Sequence, residues 1–350
     1  MAEPSPTAPK SYLELVEACD NFSPTRSPEQ LVTWRLGPGR SSPAIGLLRP
    51  AIVAQLAAEN ARAAAAGAPE PFALFLDGPA PAVAFARWAD TPAKRSGAMR
   101  AMLERWRDAG LHASVIGPRK WRGEAYPVYR RPFGAHDAPA DDTQCEGEGD
   151  ARNYAFRMER AACALFGVVT YGVHMSVFVR DPVRGCCVWV PKRAKTKQTW
   201  PGYFDNSVAG GIPAGLGVFE SLVKESMEEA SIAEEIVRKH AKAVGSISYF
   251  FSTSEGWLQP EVEYLYDLEV PADAESAAFQ PKPLDGEVES FELLTLEEII
   301  PKMRAGLFKT NCAGALIDFM IRHGYITPDN EPDFQEIITR LHGRFDYDRW

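Results

Sequence analysis

Val208-Ala-Gly-Gly-Ile-Pro-Ala-Gly-Leu-Gly-Val-Phe-Glu-Ser-Leu-Val-Lys-Glu-Ser-Met-Glu-Glu-Ala-Ser-Ile232 reads as a glycine-rich loop running directly into a helix. Gly210, Gly211, Gly215 and Gly217 allow the backbone to turn tightly and to approach a ligand closely. From Phe219 the spacing is helical. Phe219, Leu222, Val223, Ser226, Met227 and Ala230 are read as the face that packs on a sheet. Glu225, Glu228 and Glu229 gather on the other side.

Three clustered carboxylates repel one another, and a solvated helix usually intersperses lysines to relieve this. A hard divalent cation relieves it differently, because oxygen ligands suit magnesium or manganese. Magnesium keeps several waters and completes its shell with substrate phosphates. The stretch therefore points to metal-assisted chemistry on phosphates. A bare acidic cluster is more often only a solvated face; the glycine loop at the helix start shifts the reading towards function.

On these residues the stretch resembles the Nudix box. That pattern is Gly, five residues, Glu, seven residues, Arg-Glu, an aliphatic, any residue, Glu-Glu, any residue, Gly and an aliphatic. Gly210, Glu225, Glu228, Glu229 and Ile232 match it, and Lys224 stands where the family has arginine. Leu216, Ser226 and Ser231 depart from it. The resemblance implies that Glu225, Glu228 and Glu229 bind Mg2+ or Mn2+, with Glu225 and Glu229 catalytic. It implies that Lys224 orients a glutamate, without arginine's bidentate fork. Glu220, four residues before Lys224, is read as its helix partner and as a partial replacement for the missing loop acid. Glu287 and Glu289 are further candidates for the base, against the commoner reading of solvent-face acids on a strand.

The bulk properties fit an ordinary soluble globular chain. Its 350 residues suggest two domains, with 45% hydrophobic and 24% charged residues. The formal charge of −9 argues against nucleic-acid binding. No apolar run approaches the roughly 20 residues of a membrane span. The Pro-rich start carries an acid and no apolar signal core. The six cysteines show no metal-ligand spacing and read as reduced thiols. Together these point to a cytoplasmic protein.

Along the chain, residues 1–10 read as a disordered tail and 11–133 as a small mixed α/β domain. Helices are expected at Tyr12–Cys19, Ala51–Ala66 and Arg95–Ala109, and strands at Leu31–Leu36, Ile45–Leu48, Phe72–Leu76 and Ala82–Phe85. Residues 134–150 are acidic and turn-rich, an expected linker or loop. Residues 151–350 form the second domain. It opens with an expected helix at Arg152–Leu165, followed by a hairpin of Gly172–Val179 and Cys186–Val190. A helix at Ala233–Ala243 and strands at Gly245–Phe251, Glu261–Val270 and Gly286–Leu294 follow the box. Helices at Leu296–Met303, Asn311–His323 and Phe334–Leu341 complete the expectation.

Just before the box, Lys192, Arg193, Lys195 and Lys197 form a basic run in an acidic chain. They read either as a solvated loop or as contacts for phosphate oxygens. Trp200, Tyr203 and Phe204 are either core filler or a stacking wall for a heteroaromatic ring. Lys192, Arg193, Gly210, Gly211 and Trp200 are the candidate substrate contacts.

The resemblance continues beyond the box. Trp200-Pro-Gly-Tyr-Phe-Asp-Asn-Ser-Val-Ala-Gly-Gly211, Asn311-Cys-Ala-Gly-Ala-Leu-Ile-Asp-Phe-Met-Ile-Arg-His-Gly-Tyr325 and Trp121-Arg-Gly-Glu-Ala-Tyr-Pro-Val128 are similar to the two-domain thiamine-pyrophosphokinase-related Nudix proteins of fungi and plants. This implies an α/β/α sandwich with a mixed sheet. It implies hydrolysis of a small-molecule diphosphate, with oxo- and oxythiamine diphosphates as suggested substrates. A generic nucleoside-diphosphate-linked pyrophosphatase, an enzyme similar to isopentenyl diphosphate isomerase and a non-catalytic binding module are the alternatives.

Overall fold

Helical periodicity places Leu222, Val223, Ser226 and Ala230 on one stripe, and the structure buries all four. Met227 does not join them: it lies about 200° round from Glu225 on the wheel, past the edge of the stripe, and is 42% exposed. Ser226 sits within the apolar face because its hydroxyl donates to the Leu222 carbonyl at 2.7 Å. The structure is a computed structural model that describes residues 8–145, 153–271, 276–343 and 345. The expected disorder of 1–7 and the end of the acidic linker at 146–150 lie outside the described residues.

The first part of the chain comprises α1 (Tyr12–Cys19), β1 (Val32–Arg35), β2 (Ala44–Leu48), α2 (Pro50–Ala65), β3 (Phe72–Phe75) and β4 (Ala82–Phe85). It continues with α3 (Pro92–Asp108), α4 (Ala113–Ile116), β5 (Ala125–Tyr129) and β6 (Tyr154–Glu159). Then come α5 (Cys163–Phe166), β7 (Thr170–Asp181), β8 (Gly185–Arg193), β9 (Val208–Gly211), α6 (Val218–Ala230) and α7 (Glu234–His240). The chain ends with β10 (Lys242–Ser252), β11 (Leu258–Glu269), β12 (Val288–Thr295), α8 (Leu296–Arg304), α9 (Thr310–Arg322) and α10 (Phe334–Leu341).

The small sheet has the order β2-β1-β4-β3 and the large one β10-β11-β7-β8-β12, with β9 added beside β7. Within the large sheet only the β11–β7 pairing is parallel, so the sheet is mixed. Side chains alternate across it. Tyr171, Val173, Met175 and Val262 meet Leu222, Val223 and Val237 of α6 and α7 on one face. Leu265, Ile247 and Val190 meet α1, α8, α9 and α10 on the other. This is an α/β/α sandwich, joined to the smaller mixed unit built on the first sheet.

The expected helix at Arg152–Leu165 is largely a strand. Tyr154, Phe156 and Met158 alternate inward and β6 pairs antiparallel with β5. Only the short α5 follows, so tertiary pairing overrides the alanine-rich helical propensity of the segment. Ala155, Phe156 and Met158 pack with Trp34 and Phe85 of the first sheet and with Trp106 of α3. Tyr12, Leu15 and Val16 of α1 pack with α9 and α10 instead. The two parts of the chain are thus interleaved.

The acidic segment 134–145 is also tied in. Asp137 accepts from the backbone N–H groups of Asn153 and Tyr154, both at 2.8 Å. His136 inserts among Tyr129, Tyr171 and Tyr264, with Nε2 2.7 Å from the Tyr264 hydroxyl.

Candidate functional site

β9 carries the two glycines that shape the site. A Cβ on Gly210 would lie 2.2 Å from Glu225 Cγ, and one on Gly211 would lie 1.5 Å from the Tyr126 hydroxyl. The glycines therefore admit a carboxylate from α6 at one residue and a phenol from β5 at the next. Beside them the Ala209 N–H reaches Glu229 Oε2 at 3.4 Å. The carboxyl of Glu229 is pushed up to about 8 by burial and by the neighbouring charges of Asp205 and Glu225. Burial also raises that of Glu225, against the lowering pull of Lys224.

The expected acidic trio is only partly assembled. Glu228 is turned outward, with its carboxylate 2.6 Å from Lys224 Nζ; the same ammonium lies 3.3 Å from Glu225. Lys224 thus pairs with both neighbours. Glu220 is not its partner: Glu220 pairs with Arg238 at 2.7 Å. Glu287 is held by Lys197. No group of three His, Cys, Asp or Glu side chains among the described residues forms a ready cation cage. Glu225 and Glu229 do fit a hard cation by donor chemistry, being two mutually repelling, partly enclosed carboxylates beside a glycine strand.

Two of the three departures from the box, Ser226 and Ser231, have physical reasons. Ser231 takes the left-handed conformation, φ 54°, that a glycine would adopt freely. Its hydroxyl donates to the Lys282 carbonyl at 2.9 Å, holding the segment beyond the helix in place.

β9 opens onto a cavity of about 290 Å³ lined by Gly210, Gly211 and Trp200. Of the candidate contacts, Lys192 and Arg193 are not in its wall. Arg193 is buried and committed: Nη1 meets Asp205 at 2.5 Å, while Nη2 and Nε donate to the Thr199 and Trp200 carbonyls. Its role is to hold the loop that carries Trp200, whose backbone sits at φ 52°. Phe204 is filler, packed at a tilt against Phe308 with ring centroids 5.3 Å apart.

The cations of the wall are Arg122, Arg160 and Lys309. Arg160 lies over the Tyr126 ring at 4.8 Å and pairs with Glu124. Lys309, at the start of α9, forms no ion pair among the described residues, while Cys312, Asp205 and Glu263 act on it electrostatically. Together they overcome burial and hold its ammonium above the usual lysine range.

The same wall carries a polar cluster. The Tyr249 hydroxyl bonds Glu261 and lies 3.0 Å from Glu263. Asn311 Nδ2 donates to Glu263 at 3.2 Å, and His174 Nδ1 lies 2.6 Å from Asn206 Oδ1. Burial and the charge of Glu263 raise the carboxyl of Glu261. Burial also opposes the charge on Glu263, but His174 outweighs it and holds that carboxyl below its ordinary value. The alternating Glu261-Val-Glu263 pattern is visible in the sequence, but its meeting with His174 and Lys309 is not.

A profile of the NUDIX domain matches residues 170–311. An uncharacterized protein of Saccharomyces cerevisiae is 39% identical over 68% of this chain and 65% of its own length. Nudix hydrolase 20, chloroplastic, of Arabidopsis thaliana is 40% identical over 54% of this chain and 48% of its own. Nudix hydrolase 24, chloroplastic, of the same plant is 34% identical over 72% and 60%. The chain therefore spans less than two thirds of the length of each of these relatives.

Proposed function

We propose, from the NUDIX-domain match over residues 170–311 and the likeness to two plant Nudix hydrolases, that the chain is a Nudix hydrolase acting on the diphosphate bond of a small molecule bearing a heteroaromatic ring. We take the substrate to be an oxidised or deaminated thiamine diphosphate, released as the monophosphate and orthophosphate. One observation carries the reading. The carboxylates of α6 reach a glycine strand that opens onto a cavity lined by Arg122, Arg160 and Lys309.

Glu225 and Glu229 would hold a divalent cation, Mg2+ or Mn2+, which when bound activates water and neutralises phosphate charge. Lys224 fixes Glu225 and keeps Glu228 outside the cavity. Arg122 and Arg160 offer planar donors to phosphate oxygens, and Lys309 a point charge. Trp200 supplies an aromatic wall. Part of the cavity comes from β5 and the residues around it, so the first domain would shape substrate affinity. Thiamine is preferred over a nucleoside because of the resemblance carried by the Trp121, Trp200 and Asn311 segments. A nucleoside-diphosphate-linked substrate is the second reading, favoured by the same aromatic and cationic lining. A cytoplasmic location belongs to the proposal; no helix among the described residues is long and apolar enough to cross a membrane.

The test is a panel of thiamine diphosphate analogues, nucleoside diphosphate sugars and dinucleotides with magnesium, repeated with chelator. Metal-dependent formation of a thiamine-type monophosphate supports the reading. Binding without hydrolysis of any of them would make the protein a non-catalytic module.

A further inference from the structure

Gly172 of β7 and Gly211 of β9 face each other directly in the sheet. Two opposed glycines leave bare backbone where side chains would stand, a mark of close approach by another group. Here two polar atoms fill the space. A Cβ on Gly172 would lie 2.1 Å from Glu263 Oε2, just as one on Gly211 would meet the Tyr126 hydroxyl. Both residues line the cavity, and they are only 5% and 3% exposed. Neither Glu263 Oε2 nor the Tyr126 hydroxyl has a hydrogen-bond partner among the described residues. Buried polar atoms are nearly always paired, so two orphans in one cavity wall call for a partner from outside the chain.

The surroundings fix what that partner must be. Glu263 is held by its other oxygen, Oε1, which accepts from Asn311 and lies 3.0 Å from the Tyr249 hydroxyl. His174 Nε2 stands 3.6 Å from Oε2, beyond hydrogen-bond reach. That buried oxygen is therefore oriented, with the charge of His174 beside it but no donor within hydrogen-bond reach. A carboxylate accepts only, so it takes an N–H or O–H donor and repels phosphate oxygens. The Tyr126 hydroxyl can donate or accept, and Arg160 over its ring fixes the phenol. Paired, the two groups suit a ring edge that offers a donor beside a second polar atom, as a lactam or an aminopyrimidine does.

We propose that Glu263 and Tyr126 are specificity-determining residues that read the polar edge of the substrate's ring, at the end away from the hydrolysed phosphate. This rests on the diphosphate reading above and adds a requirement for a hydrogen-bond donor on the ring. It also assigns the first domain a part in specificity, through Tyr126 on β5.

The test is calorimetric titration of the full chain, without divalent metal so that no turnover intervenes, with oxythiamine diphosphate, ADP, UDP and inorganic pyrophosphate. Glu263→Gln keeps the contacts of Oε1 but places an amide donor where the acceptor was. It is expected to weaken each organic ligand that the wild type binds by about 10- to 100-fold, leaving pyrophosphate within about twofold. Tyr126→Phe is expected to weaken the same ligands by about three- to tenfold and decides the matter if Glu263→Gln lowers the melting temperature enough to prevent titration. ADP bound in place of oxythiamine diphosphate, with the same selective loss, upholds the recognition pair and overturns only the thiamine assignment. Equal losses for pyrophosphate would make these groups phosphate or metal contacts and overturn the inference. So would unchanged affinities, or a wild type that binds pyrophosphate as well as the ring-bearing ligands.

Discussion

Gly210→Ala isolates the placement of Glu225 from the stability of the fold. The added Cβ would meet Glu225 Cγ, Cδ and Oε2 at 2.2, 2.3 and 2.7 Å. Ordinary contact needs more than 3.4 Å, so the carboxylate must move by about 1 Å or more, a misplacement that can cost about 10²-fold in rate. The backbone tolerates the change. Gly210 is absent from the left-handed positions and pairs regularly with Val173. Glutamate is flexible and can swing aside, while the loss of a glycine reduces unfolded-state entropy by about 0.4 to 1 kcal/mol. Stability within about 1 kcal/mol of wild type is therefore expected, with kcat/KM for magnesium-dependent phosphate release down about 10²-fold. Gly211→Ala is the contrasting control. It presses on a rigid phenol held under Arg160, and overpacking of this kind costs about 1 to 3 kcal/mol. The assay is orthophosphate release beside thermal melts of both variants. A Gly210→Ala protein with kcat/KM within about twofold of wild type would refute the placement of Glu225 at the reaction centre.

Arg193→Ala is expected to destabilise the fold by about 3 to 5 kcal/mol, because it strands the buried Asp205; a stable protein changed only in KM would return Arg193 to the substrate contacts. Lys309→Met is expected to raise KM for diphosphates about tenfold or more by removing a cation from the cavity wall, and an unchanged KM contradicts that role. Burial holds His136, ringed by Tyr129, Tyr171 and Tyr264 beside Asp137, at about 4 instead of 6.5. The neutral ring is the folded form, so this contribution is complete above about pH 6.5 and is lost as pH falls towards 4. At 1.36 kcal/mol per pH unit the span corresponds to about 3 kcal/mol. Denaturant melts of wild type and His136→Gln between pH 7 and 4 should show the wild type losing more stability, and parallel curves would contradict it.

The box helix was legible because its signal is local. One amphipathic period and one set of carboxylates lie within the quoted stretch, and α6 follows them. The hairpin of β7 and β8 was legible for the same reason, through alternation on both sides of the Asp181–Gly185 turn. The cavity was not, because its wall is assembled by the sheet order. The parallel pairing of β11 with β7 sets Glu263 opposite Gly172, and β5 brings Tyr126 to Gly211 from far upstream. The basic run misled for a related reason. Asp205 folds back on Arg193 and consumes its charge, a partnership that residue type alone does not reveal. Segment 154–159 was misread because the alanines and cysteine after it suit a helix, while its strand pairing partner lies across the acidic loop.

The central claim is metal-dependent cleavage of a thiamine-type diphosphate at the α6 carboxylates. It is tested most directly by offering oxythiamine diphosphate and thiamine diphosphate at equal concentration with magnesium and separating the monophosphates by chromatography. Wild type should form oxythiamine monophosphate and orthophosphate in preference, and a folded Glu229→Gln protein should do so about 10²-fold more slowly or worse. Neither monophosphate formed while ADP-ribose or a dinucleotide is cleaved would contradict the substrate, and an unchanged rate in Glu229→Gln would contradict the site.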